Sequence, residues 1–77
     1  MIKDIAKLKA GDKVHYQPSH YDTDTWENGI IKEVPKFTMT AVRVVYNCNS
    51  EWNRYKEYTS ALTNLRDLHI GWKFKEE

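Results

Sequence analysis

Four large aromatic side chains fall where the chain reads as loop rather than as the middle of a strand: Tyr21, Trp26, Trp52 and Tyr55. Rings held at a surface supply apolar contact area and a π face that attracts cations, an interaction of about 0.5–2 kcal/mol. Asp22, Asp24 and Glu27 flank Trp26, and carboxylates beside an aromatic face favour a positively charged guest. The pattern predicts an aromatic groove between residues 19–28 and 47–55, with Asp22, Asp24 and Glu27 as an acidic rim. The same residues have a structural reading, in which Trp26 and Trp52 are half-buried plugs over the core.

A second set interleaves cations with rings: Arg54, Lys56 and Arg66 with Tyr55 and Tyr58. Stacking platforms for single-stranded nucleic acid combine these two residue types. The overall charge does not help them. Twelve Lys and Arg against eleven Asp and Glu leave a formal net charge of +1, so there is no broad attraction to nucleic acid or to an anionic membrane.

Metal and catalytic chemistry are poorly served. His15, His20, Cys48 and His69 are the soft ligands, and none stands at a Cys-x-x-Cys or His-x-x-x-His spacing. Asp22 with Asp24, or Glu27 with His15, would be the candidate acid–base pairs. No nucleophile motif or phosphate loop accompanies them. The expectation is a protein that is not an enzyme and takes neither metal nor cofactor.

These residues must be positioned by a small core. A chain of 77 residues buries only about 60% of its unfolded surface. Three Trp, five Tyr and two Phe, at roughly 150–250 Å² each, can supply much of the burial. The single cysteine excludes an internal disulfide and fits a reducing, cytoplasmic setting. No apolar run approaches membrane-spanning length. The reading is one domain over residues 1–77, with 1–9 as a lead-in and 75–77 as a frayed tail.

Along the chain, Ile2, Ile5 and Leu8 recur every three residues, as one helical turn or an irregular lead-in with an apolar side. Gly11 and Asp12 make a turn. Residues 13–17 alternate, with Val14 and Tyr16 on one face, and Pro18 ends the strand. After the polar loop, residues 29–34 form a second strand with Ile30 and Val34 on one face and Ile31 on the other. Residues 39–48 form the strongest strand, rich in β-branched and aromatic side chains. Residues 52–59 read equally as a helical turn and as a strand. Residues 63–68 offer an N-cap residue before a 3₁₀ turn, and residues 69–74 close the domain, interrupted at Gly71. The fold class is all-β: a small barrel of about five antiparallel strands with one short 3₁₀ turn.

Four segments, taken in order, resemble the Tudor, agenet and KOW group of SH3-like barrels. They are Gly11-Asp12-Lys13-Val14, then Trp26 with Gly29-Ile30-Ile31-Lys32-Glu33-Val34, then Val42-Arg43-Val44-Val45-Tyr46, and last Leu65-Arg66-Asp67-Leu68. The resemblance implies that aromatics from the first loop, the second strand and the third-to-fourth connection can form a cage for a methylated ammonium group. Tyr16, Tyr21, Trp26, Tyr46, Trp52 and Tyr55 would be its candidates. For a KOW-type barrel it implies contact with RNA through exposed loops. The segments at 28–33 and 58–68 are also similar to small uncharacterised proteins of bacteria and their phages, a likeness that brings no activity with it.

The leading expectation is therefore a non-catalytic binding module that engages a protein segment through its loop aromatics. Nucleic-acid binding comes second. The third is an assembly or inhibitory subunit whose exposed strand edge pairs with a partner.

Overall fold

The computed structural model describes Ile2 and residues 4–74; the expected tail at 75–77 lies outside the described residues. The alternating and β-branched segments become five strands: β1 (Lys13–Tyr16), β2 (Glu27–Glu33), β3 (Ala41–Val45), β4 (Ala61–Asn64) and β5 (Leu68–Ile70). They form one antiparallel sheet in the order β4-β3-β2-β1-β5. The two edge strands, β4 and β5, are joined by a 3₁₀ turn of three residues, Leu65–Asp67. Such a turn advances about 6 Å, whereas the edges of a flat five-stranded sheet stand about 19 Å apart. The sheet is therefore curled until its edges approach, although no ladder joins β4 to β5 among the described residues.

Three 3₁₀ turns are described, not one. Ile5–Lys7 is capped by Asp4, whose side chain accepts from the Ala6 N–H, and it delivers Ile2 and Leu8 to the core. Trp52–Glu57 resolves the ambiguous segment in favour of the spacing of three, with the chain extended again at Tyr58. The third turn takes Asn64 as its cap, accepting from the Arg66 N–H. This cap lies in the segment where the sequence offers one, and Thr63 beside it is a buried residue of β4.

Two strand boundaries shift for identifiable reasons. β2 begins before Asn28-Gly29, so that pair lies inside the ladder, with Gly29 opposite Val14. A Cβ on Gly29 would stand 2.6 Å from Val44 Cγ1 and 2.9 Å from both the Val45 carbonyl and Tyr46 Cδ1. The missing side chain lets β3 and Tyr46 close down on β2. Further along, the β2–β3 register slips between Ile31 and Glu33. A one-residue slip changes which face the following side chains occupy. Val34 accordingly packs with Ile31 in the core cluster rather than sharing the side of Ile30.

The main core is Ile2, Leu8, Val14, Ile31, Val42, Val44, Leu65 and Leu68, with Tyr16 and Tyr46 packed against it. Ile30, Val45 and Cys48 are buried outside that cluster, and Ile30 pairs directly with Val45. β5 stops at Ile70, and residues 71–74 leave the ladder as a strap. No described helix is long and apolar enough to cross a membrane.

Candidate functional site

Rings and carboxylates meet where the end of β1, the start of β2 and the edge strand β4 converge. Tyr16 and Glu27 are register partners across β1 and β2, so their side chains share a face. Tyr46 follows β3 and brings its ring to 6.0 Å from that of Tyr16, at 65°. Its hydroxyl lies 2.8 Å from the Thr63 hydroxyl on β4, and Thr63 Oγ1 also reaches the Ala61 carbonyl at 3.2 Å. Asp67 comes from the last 3₁₀ turn. Tyr16, Tyr46, Glu27, Asp67, Leu62 and Thr63 line a cavity of about 400 Å³.

The electrostatics of this cavity are those of neutral phenols beside carboxylates. Burial is the first cause pushing the Tyr46 hydroxyl up to about 12; the Thr63 hydrogen bond opposes it, and Glu27 and Asp67 reinforce it. Tyr16 is raised by burial, then by Asp67, Tyr21 and Glu27. Both hydroxyls thus sense both carboxylates, which places the four groups around one volume. Such a volume favours a cation: two π faces and two negative charges attract it together. Arg66 pairs loosely with Asp67, 3.9 Å away.

A neighbouring cavity of about 370 Å³ shares Tyr46 and Ala61 with the first and is completed by Val44, Asn47, Tyr58, Thr59 and Ser60. It carries no carboxylate. Both are lined in part by β4, a sheet edge on which Leu62 is about half exposed.

The four loop aromatics do not converge. Tyr21 packs edge-on against Tyr16, 5.6 Å away, and so buttresses the cavity without lining it. Trp26 sits under the Lys73 ammonium, 4.6 Å from its ring centre, and its indole N–H donates to the Lys73 carbonyl at 2.8 Å. Trp52 tilts against Trp72 at 4.9 Å. Tyr55 lies over the β1 turn, its hydroxyl 3.4 Å from where a Cβ would be on Gly11, which takes φ +96°. Among the described residues, no ring contact joins Tyr21 or Trp26 to Trp52 or Tyr55. Of the acidic rim, Glu27 enters the cavity, while Asp22 and Asp24 are exposed loop residues.

The cationic set is divided as well. Arg54 pairs with Glu57 at 2.5 Å and with Glu51 at 3.6 Å on its own turn, and the Tyr58 hydroxyl donates to Glu51. Lys56 is exposed on that turn, whereas Arg66 belongs to the last 3₁₀ turn.

The strap was not legible as a unit. Lys73 exchanges backbone bonds with the Asn28 amide, N–H to Oδ1 at 2.9 Å and Nδ2 to carbonyl at 2.8 Å. Its ammonium donates to Gln17 Oε1 at 3.2 Å and to the Thr23 carbonyl at 3.0 Å. One residue near the C-terminus thereby organises the long loop after β1. The Trp72 indole donates to the Gly29 carbonyl at 2.8 Å, beneath the Lys13 ammonium. His15 Nδ1 meets the Gly71 carbonyl at 2.8 Å, and the His15 and His69 rings stack 5.0 Å apart at 19°. Burial first, then positive neighbours including His15 and Lys73, depress the His69 pKa against a hydrogen bond to the Gln17 backbone. Among the described residues, no group of three or more His, Cys, Asp or Glu side chains gathers as a metal site.

No protein-family model, no curated protein and no solved structure matches this chain.

Proposed function

We propose that this protein is a non-catalytic binding module, an SH3-like barrel in type, that holds a protein segment by a cationic side chain. The observation that carries the reading is the single cavity that Tyr16, Tyr46, Glu27 and Asp67 line together. A lysine or arginine head group there gains π contact from the rings, at about 0.5–2 kcal/mol, and attraction from two carboxylates. The long loop after β1, the curled antiparallel sheet and the 3₁₀ turn between β4 and β5 support the barrel type.

A protein segment is favoured over nucleic acid by the state of the cations. Arg54 is already neutralised by Glu51 and Glu57, and the cavity itself is acidic, which repels phosphate.

The test is chemical-shift mapping with short extended peptides that differ only in one residue, lysine against its uncharged isostere norleucine. The expected outcome is shifts at Tyr16, Tyr46, Glu27, Asp67 and Leu62 for the lysine peptide, reduced in Asp67→Asn. Shifts confined to the Trp52–Trp72 side, or no discrimination between lysine and norleucine, would overturn the proposal.

A further inference from the structure

We infer that the bound segment adds to the sheet as an extra strand along β4 and is read as a cationic residue followed, two positions later, by an apolar one. This rests on the binding function proposed above and specifies its ligand. Three observations lead to it.

First, β4 pairs with β3 alone among the described residues, leaving its other side as a sheet edge. An edge strand offers a row of backbone donors and acceptors to an extended partner. Leu62 stands half exposed in the middle of that edge.

Second, the two cavities lie in sequence along this strand and meet at Tyr46 and Ala61. The acidic one covers residues 61–64 of β4; the other, without a carboxylate, begins at its N-terminal end around residues 58–61. An extended chain places alternate side chains on one face at about 6.7 Å intervals, so residues two apart can enter neighbouring cavities. The acidic cavity takes the cation by charge complementarity. Its neighbour has no carboxylate, and Val44, Ala61, Tyr46 and Tyr58 line it beside uncharged polar side chains, so it takes an aliphatic or aromatic group.

Third, every ladder in this sheet is antiparallel. A strand added in the same manner runs opposite to β4 and meets the acidic cavity before the apolar one. The order along the ligand is therefore cation first.

The experiment uses the full chain and a fluorescein-labelled peptide, Ser-Thr-Lys-Thr-Ile-Thr-Ser, read by fluorescence polarisation. Three changed peptides and one series accompany it: lysine to glutamine, isoleucine to alanine, the two key residues exchanged, and a set with a single N-methyl group at each successive backbone amide. We expect each of the first three changes to weaken binding about tenfold, a loss of about 1.4 kcal/mol. N-methylation should be disruptive at alternate amides only, since alternate N–H groups of an added strand face the sheet. Leu62→Asp, at an exposed position, should alter apolar side-chain contacts along the edge while the fold is retained by circular dichroism.

If glutamine weakens binding but exchange of order, loss of isoleucine and N-methylation do not, the strand-addition inference is overturned and the cation-binding function stands. If none of the peptides binds, both fall. Sedimentation that shows a dimer undisturbed by the peptide would also overturn the inference, because a second copy would then occupy the edge.

Discussion

The Tyr46 hydroxyl, 2.8 Å from that of Thr63, ties the end of β3 to the edge strand. This one bond connects the interior to the proposed binding edge. Thr63 is almost fully buried, so its hydroxyl is used rather than hydrated. Tyr46 packs against the core and also lines both cavities.

Thr63→Val keeps the shape and removes that partner. Leaving a half-buried phenol without its hydrogen bond costs about 1–2 kcal/mol, measurable by urea unfolding. The Thr63 bond also holds the Tyr46 pKa down against burial, so spectrophotometric titration of the variant should show Tyr46 ionising at still higher pH.

The same tyrosine gives an alkaline limb to stability. Its folded pKa, about 12, lies above the ordinary value of 10.0. The stabilising contribution is then fully present below pH 10, declines as the unfolded chain ionises, and is exhausted above the folded pKa. In Tyr46→Phe this part of the decline between pH 10 and 12 should vanish, as followed by thermal unfolding across that range.

Gly29→Ala tests the close approach of β3 to β2. A methyl group 2.6 Å from Val44 Cγ1 and 2.9 Å from the Val45 carbonyl cannot be accommodated by a side-chain movement alone. Overpacking of this kind typically costs about 1–3 kcal/mol. Because Tyr46 Cδ1 is the third neighbour, the Tyr46 ring resonances should shift as well, even at temperatures where the variant is folded.

How much of this was readable in the sequence follows from which interactions are local. β1 was legible because Lys13 to Tyr16 alternates strictly and Pro18 stops it. That β2 begins before Gly29 was not, because what a glycine inside the ladder makes room for is Val44 on β3 and Tyr46 just after it. Val34 changed face through a register slip that no single-strand periodicity encodes. The carboxylate of Glu27 was visible in the sequence beside Trp26, yet its structural companions are Tyr16, Tyr46 and Asp67. Asp67 reaches them because β4 and β5 are brought together by a three-residue turn, a long-range consequence of sheet curl. Lys73 carried no signal at all: its partners Gln17, Thr23, Trp26 and Asn28 are more than forty positions away.

Lys73→Met should separate the loop from the barrel. The change removes the ammonium bonds to Gln17 and Thr23 and the cation over Trp26 while keeping the aliphatic stem and the backbone bonds to Asn28. Hydrogen exchange of residues 19–26 should accelerate, with β3 unaffected, and global stability should fall by no more than about 1–2 kcal/mol.

Acid should loosen the strap from its other side. The His69 pKa is depressed below the ordinary 6.5, first by burial and then by positive neighbours that include His15 and Lys73. A base whose folded pKa is lowered binds fewer protons in the folded state, so stability falls as pH drops through the unfolded value near 6.5 and levels off once the folded ring is charged too. The stacked His15 ring, 5.0 Å away, is bonded to the Gly71 carbonyl, so a charge gained by His69 acts on a ring tied to the start of the strap. Below pH 6.5 the Trp26 and Trp72 indole N–H signals, which report the bonds to Lys73 and Gly29, should exchange faster with solvent. His69→Phe keeps an aromatic ring against His15 and removes the titrating group. Its unfolding free energy should lose the decline between pH 6.5 and the folded His69 pKa; a decline that persists unchanged in this variant would locate the acid sensitivity elsewhere.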